Sequence, residues 1–317
     1  MNDVIETDAA RHHATFLADV IKGLSQPSKT LPCQYFYDEA GSILFEQITE
    51  LPEYYPTRTE ISILEQYRSE IAEQMGPNTL LVEYGAGAST KTRILLDALN
   101  APAGYVPIDV SEDFLLYTAN ALRAEYTDLP IHPIVGDFMV KFGLPEDSAG
   151  DPAGFFPGST MGNLGDDEIE QFMRAARALL GHDGKFLIGI DLRKPESILI
   201  PAYDDAAGVT ARFNLNLLAR INRELGADFN LEAFAHRAIW NAAASRVEMH
   251  LESLIDQTVV LNGQSIAFRK GETIHTENSR KFDLATLLPL FETTGWHLHD
   301  KWQDPNAYFA VILLHAR

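Results

Sequence analysis

The run Leu80-Leu81-Val82-Glu83-Tyr84-Gly85-Ala86-Gly87-Ala88-Ser89-Thr90-Lys91-Thr92-Arg93-Ile94-Leu95-Leu96 constrains this chain more than any other stretch. An apolar segment ends in a turn holding two glycines, and a helix-compatible segment follows. Gly85 and Gly87 lack a Cβ, so the backbone there can turn tightly and approach a ligand closely. Ser89 or Thr90 is placed to cap the helix, whose free N–H groups then face the turn. An open α/β sheet presents a nucleotide-like cofactor in this way, although an ordinary strand–turn–helix corner has the same pattern.

Downstream, strand and helix alternate. Tyr105 to Asp109, Ile131 to Val135, Gly154 to Ser159 with its turn, and Lys185 to Asp191 read as strands; Phe114 to Ala124 and Asp166 to Leu180 read as helices. That alternation predicts a parallel, doubly wound sheet. The lead-in is mostly helical, over 12–25, through Ile43 to Ile48, and from Thr59 to about Met75. Residues 202–245 read as helical with little strand character. Arg246 to Leu254, Thr258 to Leu261 and Ile266 to Phe268 then alternate polar and apolar residues, as antiparallel strands do. A helix over 284–294 and a final strand pair, Trp296 to Trp302 and Tyr308 to Leu314, complete the chain. The expected fold class is α/β, with a Rossmann-like cofactor domain of residues 60–196 plus 284–317. A second, α+β lobe for the substrate takes residues 10–59 plus 197–283.

Ligands of open α/β sheets sit outside the carboxyl ends of the strands, and those ends here carry Gly85, Asp109, Asp137 and Gly158. Asp109 lies 24 residues after Gly85, near the ~20-residue spacing of an acid that accepts from ribose hydroxyls. Asp137-Phe138 offers an acceptor and a ring to an adenine. Capping a helix is the competing use of either carboxylate. A nicotinamide fingerprint, G-x-G-x-x-G, needs a third glycine where Thr90 stands, and Val110-Ser111-Glu112-Asp113 is acidic where a 2′-phosphate wants an arginine. With little beyond Lys91 to greet a pyrophosphate, the segment suits S-adenosylmethionine (SAM), which has an adenosine and a sulfonium but no phosphate.

The formal charge of −20 argues against nucleic acid, whose binding rests on lysine and arginine neutralising phosphates, and against an anionic membrane. A single cysteine, Cys33, rules out an internal disulfide framework and a cysteine-based zinc cluster. His12-His13 is a tail pair and the other histidines are dispersed, so no metal site is expected. No apolar run has membrane length and no secretory signal is visible. A cytoplasmic, monomeric protein acting on a small molecule is expected.

Six ordered motifs add a specific resemblance: Tyr35-Phe36-Tyr37-Asp38 with Gly41-Ser42, Leu51 to Arg58, Glu83 to Gly87, Pro157 to Asn163, Arg246 to Leu251, and His275 to Phe282. Together they resemble the histidine-specific Nα-methyltransferases of ergothioneine biosynthesis, over about residues 10–316. The resemblance implies SAM-dependent methylation of the α-amino group of L-histidine, successively to the trimethyl betaine hercynine. It implies cofactor contacts at Gly85, Lys91, Asp109, Asp137 and Phe138. It implies substrate contacts at Tyr54, Asn163, Tyr203, Met249, Glu277 and Ser279, with Tyr37 and Gly158 near the reacting amine. Asn163 and Tyr203 would hold the carboxylate, while Tyr54, Glu277 and Ser279 address the imidazole.

Met249 in an alternating strand, Tyr203 beside two aspartates and Glu277 in a polar run would otherwise read as core or surface. Relatives of this scaffold acting on another amino acid, a nicotinamide-dependent oxidoreductase and a non-catalytic binding protein are the alternatives. Calorimetry with S-adenosylhomocysteine and then NAD separates a methyltransferase from the last two.

Overall fold

The strand before the glycine turn has no exposed face: all six residues of Thr79–Tyr84 are buried, as expected of a strand covered by helices on both sides. A computed structural model describes residues 2–140 and 142–317, with side chains from residue 13 onward. In chain order the elements begin α1 (Asn2–Leu24), β1 (Lys29–Thr30), α2 (Glu39–Thr49), α3 (Tyr55–Met75), β2 (Thr79–Tyr84), α4 (Thr90–Ala98), β3 (Gly104–Asp109) and α5 (Glu112–Glu125). They continue with β4 (Ile134–Val135), β5 (Asp151–Phe156), α6 (Asp166–Leu180), β6 (Lys185–Asp191), α7 (Glu196–Tyr203) and α8 (Val209–Leu225). The last are β7 (Phe234–Asn241), β8 (Arg246–Ser253), β9 (Gln257–Leu261), β10 (Gln264–Phe268), β11 (Thr273–Arg280), α9 (Leu284–Glu292), β12 (Trp296–Gln303) and β13 (Phe309–Ala316).

Two compact units result. One is Tyr54–Pro195 with Ser279–Arg317, and the other is Met1–Glu53 with Glu196–Asn278. The first holds a seven-stranded sheet of order β12-β13-β6-β5-β2-β3-β4. β6, β5, β2, β3 and β4 run parallel, and β13 and β12 extend the sheet antiparallel. Side chains of successive residues leave opposite faces, and both faces are closed by apolar layers. Leu80, Val82, Tyr84, Phe156, Phe186 and Ile188 pack with α6 and α9 on one face. Leu81, Phe155, Leu187 and Val311 pack with α3 and α4 on the other. Burying one such side chain is worth about 2 kcal/mol. The α/β, Rossmann-like arrangement therefore stands as expected, and it sets the strand ends that carry the site.

The second unit has a four-stranded sheet of order β1-β11-β8-β7 and a separate β9–β10 hairpin. Here the sequence reading needs one correction and one addition. Residues 202–245 are helical only to Leu225; Phe234–Asn241 forms strand β7, paired antiparallel with β8 from Phe234–Ser253 to Asn241–Arg246. The alanine-rich sequence favours helix locally, but ladder pairing to β8 overrides that weak preference. The polar run Thr273–Arg280 is likewise a strand, β11, which pairs parallel with β1 and neighbours β8. In the sheet of the first unit, the strand expected from Ile131 shrinks to Ile134–Val135 with one bridge at Ile131, because Pro133 has no N–H for a ladder.

Candidate active site

At the carboxyl end of β2 the backbone takes positive φ at Gly85 (72°) and Gly87 (48°), a region glycine enters without strain. A Cβ on either residue would meet nothing within 4 Å, so the turn presents bare backbone on an open side where a ligand can lie against it. Gly85 and Ala86 donate N–H bonds to the Ile108 carbonyl at 2.9 and 3.2 Å. That ties the turn to β3 and brings Asp109 beside it. Gly87 N–H donates to Asp109 Oδ2 at 3.2 Å, and Ser111 N–H to Oδ1 at 2.9 Å. Burial pushes the Asp109 carboxyl above its ordinary pKa, while these backbone donors pull it down. Ser89 is the N-cap of α4 but its side chain makes no capping bond, contrary to the expected cap; it adopts φ 58° instead.

The next strand end follows directly. Gly136 N–H donates to the Asp109 carbonyl at 2.9 Å, which sets Asp137 and Phe138 after β4. Asp137 Oδ1 accepts from Met139 N–H at 2.8 Å, so one carboxylate oxygen shapes the loop. Phe138 leans edge-on against Phe156 and Phe172, with centroids 5.2 and 5.5 Å away.

Lys91 is placed by a residue the sequence reading missed. Glu60 is fully buried, and its Oε2 pairs with Lys91 Nζ at 2.5 Å. The same carboxylate accepts Gly158 N–H at 2.8 and 3.1 Å. Lys91 and Gly158, separated by 67 positions in the chain, thus meet on one acid. Glu60 precedes Ile63 and Leu64 by three and four residues, on the buried stripe of α3; a carboxylate on an apolar stripe was the available signal. Glu83 in β2 is also fully buried, bonded by the Thr92 and Tyr105 hydroxyls. Burial pushes its carboxyl up to about 8.

Gly158 (φ 76°) leads into a 3₁₀ turn, Thr160–Asn163, that carries Asn163. Asp191 N–H donates to Ser159 Oγ at 2.9 Å and docks this turn on β6. A Cβ on Gly162 would lie 3.1 Å from the Arg280 backbone, so the turn presses on the end of β11 and brings Asn163 near Ser279. Tyr54, buried, is the N-cap of α3. The cofactor candidates, Tyr54, Gly158, Asn163 and Ser279 therefore share one unit.

The other unit holds Tyr37, Tyr203, Met249 and Glu277. Tyr37 follows a 3₁₀ turn, Cys33–Phe36, and its ring meets Phe45 and Phe213 in T-shaped contacts, centroids 5.7 and 5.8 Å away. Next to it, Asp38 caps α2 through Gly41 N–H and accepts from Asn216 and Arg223. Tyr203, buried, ends α7, and its carbonyl accepts His236 Nε2 at 2.8 Å. Asn214 Nδ2 lies 2.9 Å from His236 Nδ1, which assigns the ring its Nε2–H tautomer. Asp205 is no surface acid: it is buried and caps α8 through the Val209 and Thr210 N–H groups. Met249 is buried in β8. Glu277 is half-buried in β11, and its carbonyl accepts from His275 Nε2 at 2.9 Å.

The histidines are less dispersed in space than in sequence. His250 and His275 stack at 4.7 Å, 19° from parallel, and Glu248 Oε2 lies 3.2 Å from His250 Nε2. One ligand atom from each of Glu248, His250 and His275 lies within 4.8 Å of the others, so these three side chains form a group that could hold a metal ion. His12 lies outside the residues whose side chains are described.

Residues 16–316 match the family described as histidine-specific, SAM-dependent methyltransferases. A histidine N-alpha-methyltransferase of Mycobacterium tuberculosis is 42% identical over 307 residues, covering 95% of each chain. Ergothioneine biosynthesis protein 1 of Neurospora crassa is 28% identical over 91% of this chain and 33% of its own length. An SAM-dependent methyltransferase structure from Clostridium acetobutylicum superposes with a TM-score of 0.51 at 11% identity, over 86% of this chain and 97% of that one, a likeness of fold. Among the described residues no helix is long and apolar enough to cross a membrane.

Proposed function

The chain belongs to the histidine-specific, SAM-dependent methyltransferases, and from that premise we propose a reaction: methyl transfer to the α-amino nitrogen of L-histidine. Repetition gives hercynine, the first step of ergothioneine biosynthesis. The observation that carries this reading is the reach of the match, residues 16–316, through both compact units. A relation confined to the cofactor fold would leave the substrate open; this one includes Tyr203, Met249 and Glu277.

The residues of the corner fit the cofactor. The open, Cβ-free turn at Gly85 and Gly87 admits its backbone-hugging chain, Asp109 accepts from ribose hydroxyls, and Asp137 with Phe138 serves the adenine. Lys91 is neutralised by Glu60, which leaves no bare cation there for a pyrophosphate and suits a cofactor without one. When bound, SAM supplies an electron-poor methyl group on a sulfonium.

The chain's own part is chiefly alignment of the amine. The Asn163 amide and the Tyr203 hydroxyl donate to the substrate carboxylate without an added cation. Glu277 accepts from one imidazole N–H, and Tyr54 or Ser279 meets the other ring nitrogen, with Met249 against the ring. Gly158, whose N–H is committed to Glu60, offers its carbonyl to the amine. The Tyr37 ring faces the nitrogen as it becomes quaternary, a cation–π attraction of ~1 kcal/mol or more. A cytoplasmic monomer without nucleic-acid or membrane partner accords with the net charge of −20.

Mass spectrometry of histidine incubated with SAM and the enzyme tests the proposal. Gains of one, two and three methyl groups are expected, and fragmentation should place them on the α-nitrogen. A methyl on the ring, or no gain, contradicts it.

A further inference from the structure

Tyr203 is the last residue of α7, where the carbonyls of a helix run out of intrahelical partners. One of them is met from another element: the Tyr203 carbonyl accepts His236 Nε2–H from β7 at 2.8 Å. The turn that follows is pinned as well, since Asp205 is buried and accepts from the Val209 and Thr210 N–H groups. With α7 before it, the backbone that carries the Tyr203 ring is thus held on both sides.

The donor is itself fixed. His236 Nδ1 faces Asn214 Nδ2 at 2.9 Å, and the same amide nitrogen donates to the His250 carbonyl at 3.1 Å. An amide turned the other way would set its oxygen against that carbonyl, so Asn214 presents its NH2 group there. Both amide hydrogens are spent, His236 Nδ1 accepts, and the ring proton stays on Nε2. Asn214 is fully buried, and its Oδ1 has no hydrogen-bond partner among the described residues. An unmet buried acceptor costs about 1 kcal/mol or more. A cluster that bears this cost to keep one tautomer is arranged for position rather than for stability.

We propose that His236, kept in its Nε2–H form by Asn214, is the positioning residue for Tyr203, holding the end of α7 so that the phenol meets the substrate carboxylate. This rests on the assignment of Tyr203 to that carboxylate made above. His236 touches no part of the substrate in this role; it acts through the backbone it holds. A hydrogen bond to a charged group is steep in distance and angle, so a loosened helix end weakens the grip on the carboxylate and spares the ring and the amine.

A double-mutant cycle on histidine turnover tests it. His236→Ala and Tyr203→Phe should each raise KM for histidine about tenfold, with kcat little changed and S-adenosylhomocysteine affinity unaltered. The double variant should be no worse than Tyr203→Phe alone. Histamine, which keeps the ring and the amine but has no carboxylate, should inhibit the wild type and His236→Ala with the same Ki. Effects that multiply, an unchanged KM in Tyr203→Phe, or weaker histamine inhibition in His236→Ala overturn the proposal, because a general disturbance of the unit spares neither ligand. Should His236→Ala fail to fold by thermal melting, His236→Phe keeps a ring without the N–H donor and is read against the same outcomes. A wild type that methylates no histidine fails the proposed function itself, a separate result, and the cycle is then read on histidine affinity by calorimetry.

Discussion

Asp109 and Glu277 are both carboxylates assigned to hold a polar group of a bound molecule, yet they stand in different kinds of structure. Asp109 ends a strand of a parallel sheet, and the backbone N–H groups of Gly87 and Ser111 grip its oxygens. Its position is a consequence of topology: any chain that winds β2, α4 and β3 in this order puts a residue there. Glu277 sits within β11, a strand of a small mixed sheet, half-buried with its carbonyl held by His275. Nothing in the winding of that sheet requires an acid at that point. The cofactor corner is therefore tied to the fold, whereas the substrate residues are single side chains on a generic support. Substitutions in the first should register as stability or cofactor affinity, and in the second as choice of amino acid.

The largest expected effect is on the fold-tied side. Burial holds Glu83 protonated in the native state up to about pH 8, whereas in the unfolded chain it ionises near its ordinary value of about 4.3. The native state thus keeps a proton the unfolded state has lost, so stability is full below that ordinary value and declines as pH rises toward 8. The decline is on the order of 5 kcal/mol, and Glu83→Gln should remove it from the pH dependence of denaturant unfolding. Next comes Glu60→Gln, which strands the Lys91 ammonium; an unfolding loss of about 3 kcal/mol is expected, with weaker S-adenosylhomocysteine binding by calorimetry. If either variant instead altered substrate choice at unchanged stability, the division between the two regions would break.

On the substrate side, Glu277→Ala should lower kcat/KM for histidine about tenfold or more, with melting temperature and S-adenosylhomocysteine affinity unchanged. The smallest effect belongs to Tyr37→Leu, which removes the ring that faces the nitrogen as it becomes quaternary. Losing a cation–π attraction of ~1 kcal/mol should slow the later methylations about fivefold and let mono- and dimethyl products accumulate at unchanged KM. An unaltered progression to the trimethyl product would remove Tyr37 from the reacting amine.

The same contrast explains what could be read from the sequence. The extents of α6 and β6, Asp166–Leu180 and Lys185–Asp191, were legible because buried strands and amphipathic helices carry opposite periodicities. Gly85, Asp109 and Asp137 were legible for the same reason, being punctuation at strand ends. β7 and β11 were not, since alanine-rich and polar stretches acquire strand geometry only through their neighbours β8 and β1. Glu277 and Ser279 lie in β11, and all six substrate residues were reached through a resemblance and never through periodicity. Glu60 was missed because its partners, Lys91 and Gly158, are 31 and 98 positions away; only the folded chain shows what a buried carboxylate on α3 is for. His236 was hidden likewise, on a strand read as helix, with its partners Tyr203 and Asn214 33 and 22 positions away.

A competition among free amino acids tests most directly whether single side chains choose the substrate on a shared cofactor scaffold. The enzyme is given SAM and an equimolar mixture of the protein amino acids, and products are read by mass spectrometry. Histidine alone should gain methyl groups, up to three. Methylation of any other amino acid at a comparable rate, or none of histidine, would contradict that conclusion.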